Sequence, residues 1–151
     1  MHAAQHMLDR GLTPSIRAAV AVRPRRLQRP RKRGVPVHAG VRYVGRPTEF
    51  ANPFDGRGFG HVRAVRLFER WIDSRLGDLT LEMLGFCPSE IEALHRLHER
   101  VLRRLPMLAG LDLQCWCPLT SRWCHADILL RRANPHIFRS LPDEASPSSR
   151  R

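Results

Sequence analysis

Leu111-Asp112-Leu113-Gln114-Cys115-Trp116-Cys117-Pro118, five further residues, then Cys124-His125-Ala126-Asp127-Ile128-Leu129-Leu130: the hydrophobic period changes inside this stretch. In its first part Leu111, Leu113, Cys115 and Cys117 alternate onto one face, which predicts a strand. From Ala126 to Ala133 the apolar residues recur at helical spacing, and Asn134-Pro135 marks the stop. A strand, a short loop and a helix in succession are the signature of an α/β unit. The same stretch carries three thiols, one imidazole and one carboxylate within thirteen residues.

Upstream, Val41-Arg42-Tyr43-Val44 is a short β-prone run ended by Gly45, which predicts an earlier strand. Gly45 to Gly60 reads as a loop, punctuated by Asn52-Pro53-Phe54 and several glycines. From His61 the period turns helical: Val65, Phe68, Trp71, Ile72 and Leu76 form an apolar stripe, and Gly77 ends it. Ser89-Glu90-Ile91-Glu92 fits a capping box for a second helix, with Ile91, Leu94, Leu97, Val101, Leu102 and Leu105 inward and Pro106 after it. His95 and His98 read as surface residues of that helix. The expected fold class is α/β (or α+β): a small domain with a short, mainly parallel sheet flanked by about three helices. In such sheets ligands bind beyond the carboxyl ends of strands. If the two strands run parallel, the loop after Val44 and the loop after Trp116 meet at one edge; if antiparallel, they do not.

At 151 residues the chain has room for one domain plus tails. No stretch approaches the roughly 18 apolar residues that span a bilayer, so no membrane partner is expected. The N-terminus lacks the apolar core of a signal peptide, which points to a reducing cytoplasm and to cysteines kept as thiols or metal ligands. The net charge of +12 is uneven: residues 1–42 hold ten basic residues and one acid, residues 43–138 thirteen basic and eleven acidic. Arg23 to Gly34 alone carries seven cations and no acid. Residues 1–40 therefore read as a disordered basic arm, 41–138 as the folded domain and 139–151 as a second disordered tail. Through residues 23–33 the arm is a candidate contact for nucleic acid, or simply a solvated tail.

Tyr43-Val44-Gly45-Arg46, Asn52-Pro53-Phe54, an amphipathic helix, Leu113-Gln114-Cys115-Trp116-Cys117-Pro118 and Cys124-His125-Ala126-Asp127-Ile128-Leu129-Leu130 occur in this order. Together they resemble the bacterial and phage family known as domain of unknown function 4326, over about residues 41–134. Ala51 stands where that family commonly has Gly, and Leu111 where it often has a basic residue. The resemblance implies a domain boundary and a site, but no reaction.

The Cys-His segment fits two chemistries, or a purely structural turn in which the cysteines pack as small apolar groups, His125 bonds a carbonyl and Asp127 only complements the helix dipole. In the first, Cys124 sits at the start of the last helix, where backbone N–H groups favour a thiolate. His125 is then its proton partner, Asp127 orients the imidazole or accepts from the first helical turn, and Cys117 faces the same edge. In the second, Cys115, Cys117, Cys124 and His125 hold zinc. Alternate residues of an extended strand stand roughly 6.6 Å apart, whereas two sulfurs on one zinc lie within about 4 Å, so the strand would have to break at Trp116. Arg46 is the candidate anion clamp and Asn52 its neighbour in the ligand site, unless Arg46 pairs locally and Asn52 caps a turn. Trp116 alternates away from the cysteines and is expected beneath a helix; Cys87 has no assigned role.

The expected function is a pocket that binds, and has the groups to transform, a nucleotide-like or other phosphorylated anion. Cys117, Cys124, His125 and Asp127 form one side, Arg46 and Asn52 the other, with no cofactor. The alternative is a zinc-stapled interaction module whose basic arm contacts nucleic acid. The residues leave open whether catalysis occurs.

Overall fold

The structure, a computed structural model, describes residues 23–139. The elements are β1 (Arg26–Gln28), β2 (Val41–Tyr43), α1 (His61–Ile72), α2 (Asp78–Met83) and α3 (Pro88–Arg104), which runs into a 3-10 turn (Leu105–Leu108). Then follow β3 (Asp112–Cys115), α4 (His125–Ala133) and α5 (Pro135–Phe138). The three strands form one parallel sheet in the order β1-β3-β2, with Leu27 opposite Gln114 and Arg42 opposite Leu113. The pairing of β2 continues past its end, where Val44 N–H donates to Gln114 O at 2.9 Å. The expected small α/β domain is thus present, its three longest helices being α1, α3 and α4.

β3 is the central strand, and Leu113, Gln114 and Cys115 are all buried, as both faces of a parallel sheet are when helices cover it. The helical stripe of α1 points inward as expected: Val65, Phe68, Trp71 and Ile72 are buried. Phe54 from the preceding loop meets the Trp71 ring edge-on at 6.1 Å and the Phe86 ring at 5.9 Å. α4 packs against α1, β1, β3 and the 3-10 turn, which explains why Ala126, Ile128, Leu129, Leu130 and Ala133 are apolar on more than one face. Asn134 closes α4, as expected, and is fully buried. Its amide donates to Leu130 O at 2.9 Å and accepts from Gly110 N–H at 2.8 Å, joining the end of α4 to the turn before β3.

Several expectations are corrected. Residues 23–40 are not a free arm: Arg26–Gln28 adds an edge strand to β3. Its backbone bonds are independent of side-chain polarity, and charged side chains suit an exposed sheet edge. Residues 1–22 and 140–151 lie outside the described residues. β3 stops at Cys115 and the backbone bends at Trp116 and Cys117, so the alternation fails there. Trp116 is 50% exposed instead of packed beneath a helix; its ring meets Tyr43 edge-on at 6.5 Å, with the Arg29 guanidinium 5.6 Å from its centre. The capping box of α3 lies two residues earlier than expected, with Cys87 as N-cap and Glu90 returning a carboxylate to Cys87 N–H at 2.8 Å. His98 is half-buried against Trp71 rather than on the surface, whereas His95 is exposed as expected and meets Asp78 from α2 at 2.7 Å.

Candidate functional site

The bend after Cys115 decides the geometry of the cysteines. An extended chain would hold the sulfurs of Cys115 and Cys117 apart; the bend folds Cys117 back. The Sγ atoms of Cys115, Cys117 and Cys124 all lie within 4.8 Å of one another, and those of Cys115 and Cys124 are 3.1 Å apart. Cys124 is the N-cap of α4, as expected, but it is only 2% exposed; Cys117 is the half-buried member. The reachable sulfur is therefore Cys117 rather than Cys124. Hydrogen bonds from Cys117 and then Cys124 hold the Cys115 thiol well below its ordinary range. The same bonds, given away to Cys115, push Cys117 and Cys124 up. The three titrate as one unit that gives up its first proton readily and the next with difficulty.

Arg26 builds the loop that carries these cysteines. Its side chain is 8% exposed. Nε donates to Asp127 at 3.2 Å, and the terminal nitrogens donate to Pro118 O at 3.0 Å, Ser121 O at 2.8 Å, Leu119 O at 3.3 Å and Cys117 O at 3.5 Å. Burial works against its charge, yet Asp127, Cys124 and Cys115 raise its pKa. Asp127 is thus spent on Arg26 and does not orient an imidazole; burial raises its pKa more than Arg26 lowers it. The buried His125 ring faces elsewhere too: Nε2 lies 2.9 Å from Val44 O at the end of β2. Neither ring nitrogen of His125 lies within 4.8 Å of all three sulfurs, so His125 stands apart from the cluster, unlike in the alternative Cys₃His set.

The sulfur cluster contributes to the walls of two depressions. A cleft of about 180 Å³ is lined by Arg46, Asn52, His61, Cys115, Cys117 and His125, so the two loops converge as the parallel strands require. Asn52 is buried there, and its amide is consumed by the loop: it donates to Ala64 O at 3.1 Å and accepts from Phe54 N–H at 2.9 Å. This is the turn-capping role rather than ligand binding. Arg46 is exposed and donates to Asp55 O.

Asp127 and the buried Cys124 form instead part of the wall of a groove of about 770 Å³ along α4 and the edge of β1. Arg23, Arg25, Arg26, Arg122 and Arg131 surround it, with Trp123 and Phe138 as aromatic walls and Glu69 and Asp127 as its acids. The expected set of six is therefore divided between two faces of the cluster. Arg26 and His61 escaped the sequence reading. Arg26 lies in a run whose composition hides a strand, and no local pattern marks it. His61, whose Nε2 is 2.8 Å from Trp123 O, starts α1 and gains its place only through tertiary contact.

Among the described residues no helix is long and apolar enough to cross a membrane. No curated protein and no solved structure matches the chain. A family model does match, over residues 27–135, a span that begins within β1 and takes in both loops, the three clustered cysteines and α4. The chain belongs to the family described as domain of unknown function (DUF4326).

Proposed function

We propose that the groove between β1 and α4 binds a phosphorylated, nucleotide-like anion. The observation that carries this reading is the convergence of five arginines on one groove of about 770 Å³ holding two carboxylates. Both carboxylates are engaged, Asp127 by Arg26 and Glu69 by Arg131 and Arg132. Guanidinium groups form paired hydrogen bonds with phosphate oxygens, and the start of α4 adds the positive end of a helix dipole. The volume lies within the range of about 300–1,000 Å³ usual for small-molecule sites. Trp123 and Phe138 offer ring faces of the kind on which a base stacks; guanidinium groups already occupy such positions, Arg66 at 4.9 Å from the Trp123 ring and Arg23 at 4.3 Å from the Phe138 ring. The anion clamp is thus moved from Arg46 to the groove. This reading places the chain in the cytoplasm, where phosphorylated metabolites are abundant and the thiols stay reduced.

Calorimetric titration of the full chain with adenosine, its mono-, di- and triphosphates and inorganic pyrophosphate tests the proposal. Affinity should rise with phosphate number, and Arg122→Ala should lower it by about 10-fold, the loss of one charge-assisted contact of roughly 1.5 kcal/mol. Equal binding of adenosine and its triphosphate, or no binding of any of them, refutes it. The basic segment over residues 23–33 also suits a longer phosphate chain. Tighter binding of a single-stranded oligonucleotide with a steeper salt dependence would identify nucleic acid as the occupant.

A further inference from the structure

The three sulfurs form a close triangle where the end of β3, the bend after it and the start of α4 meet. We infer that Cys115, Cys117 and Cys124 are a three-thiolate site for a thiophilic divalent ion of the zinc type, with the fourth coordination position left open toward the cleft beside His61. This goes beyond anion binding in the groove and does not depend on it. Zinc–sulfur bonds of about 2.3 Å at tetrahedral angles put sulfurs about 3.8 Å apart. The sulfurs of Cys115 and Cys124 are 3.1 Å apart and no pair exceeds 4.8 Å, so the triangle is compact enough to close on one ion. To bind, the Cys115–Cys124 pair opens by about 0.7 Å, a side-chain rotation of either residue.

The three donors come from differently constrained backbone: the end of the central strand, the bend beyond it and the N-cap of α4. Sulfur donors select zinc-like ions over magnesium or calcium. Three thiolates around a dication carry one net negative charge. The buried Arg26 guanidinium, which pairs with Asp127 and braces the same loop through four carbonyls, also draws favourable electrostatics from Cys124 and Cys115 and so favours that charge. Among the described residues no fourth His, Cys, Asp or Glu donor lies within 4.8 Å of all three sulfurs. A site with three protein ligands leaves a position for water or an external ligand. Cys115 and Cys117 both line the cleft, and Cys117 is the less buried of the two, so the open position is assigned to that side.

The test is a cobalt titration of the full chain, reduced and free of oxygen. One equivalent should produce a thiolate-to-cobalt charge-transfer band and the visible bands of a tetrahedral site, and zinc should bleach both. Cys117→Ser, at the half-buried position, should weaken binding by more than the roughly 10–100-fold typical of losing an outer-shell partner; Cys87→Ser should leave it unchanged. His125→Gln should keep the same charge-transfer intensity per cobalt, and azide should shift the visible bands by entering the open position. A folded, reduced protein without the charge-transfer band overturns the site. So does a Cys117→Ser variant that binds cobalt as tightly as the parent. A Cys115–Cys124 disulfide that persists in thiol reductant would assign the pair to redox chemistry instead. Visible bands unmoved by azide would overturn the open position.

Discussion

Arg26 and Asp127 form an ion pair whose two members should contribute unequally to stability. Replacing Arg26 by Met removes the donor from the Asp127 carboxylate and from the carbonyls of Cys117, Pro118, Leu119 and Ser121. Breaking a buried pair from one side costs about 3–5 kcal/mol. Asp127 is 34% exposed, so water recovers part of its solvation and the loss belongs near the lower end, about 3 kcal/mol. At roughly 4 °C per kcal/mol for a domain of this size, Tm should fall by about 12 °C. Asp127→Asn should cost under about 1 kcal/mol, because burial already penalises that charge and Arg26 keeps its carbonyl acceptors. Urea denaturation of both variants and of the double variant, with the slope checked for constancy, measures the asymmetry and the coupling. Equal losses, or a larger loss for Asp127→Asn, would refute the view that Arg26 is the brace of the cysteine loop.

Asn134→Ala should cost about 2 kcal/mol by denaturant unfolding, because it leaves the Gly110 N–H without its acceptor, and the Gly110 amide should exchange faster. Thiolate absorbance against pH should show one cluster thiol ionising below the ordinary cysteine range. Cys117→Ala or Cys124→Ala should move that step upward by removing a donor to Cys115; titration of all three together would contradict the shared charge. The Asp73 carboxyl is held below its ordinary range by the hydrogen bond from Arg132, at 2.6 and 2.7 Å. Its contribution is complete above the unfolded carboxylate pKa of about 3.9 and is lost as pH falls through the lower folded value. Asp73→Asn should accordingly flatten the acid limb of the stability profile, measured as Tm against pH.

The strand–loop–helix from Leu111 to Ala133 and the inward face of α1 were legible because each rests on a periodic pattern of side chains against one core. The meeting of the Arg46 loop with the Cys117 loop was legible as a consequence of parallel strands. β1 was not, since three residues in an arginine-rich run carry no apolar period and gain their conformation from the backbone of β3. The bend at Trp116 was beyond local reading as well: alternation continues on paper through Cys117, while Arg26, far away in the chain, pulls the following carbonyls toward itself. Asp127 and His125 looked like partners of Cys124 by proximity in sequence. Helical geometry sends one to Arg26 and the other to Val44.

The strand made last is the one in the middle. β1 and β2 each bond only to β3, which the chain reaches after nearly seventy further residues beyond β2. On the ribosome, a nascent chain that ends before Asp112 therefore has no template on which either earlier strand can zip, whatever helices it has already formed. Assembly of this sheet is a single late closure that waits for the C-terminal third to emerge, and the distant pairings make it slow compared with helix formation.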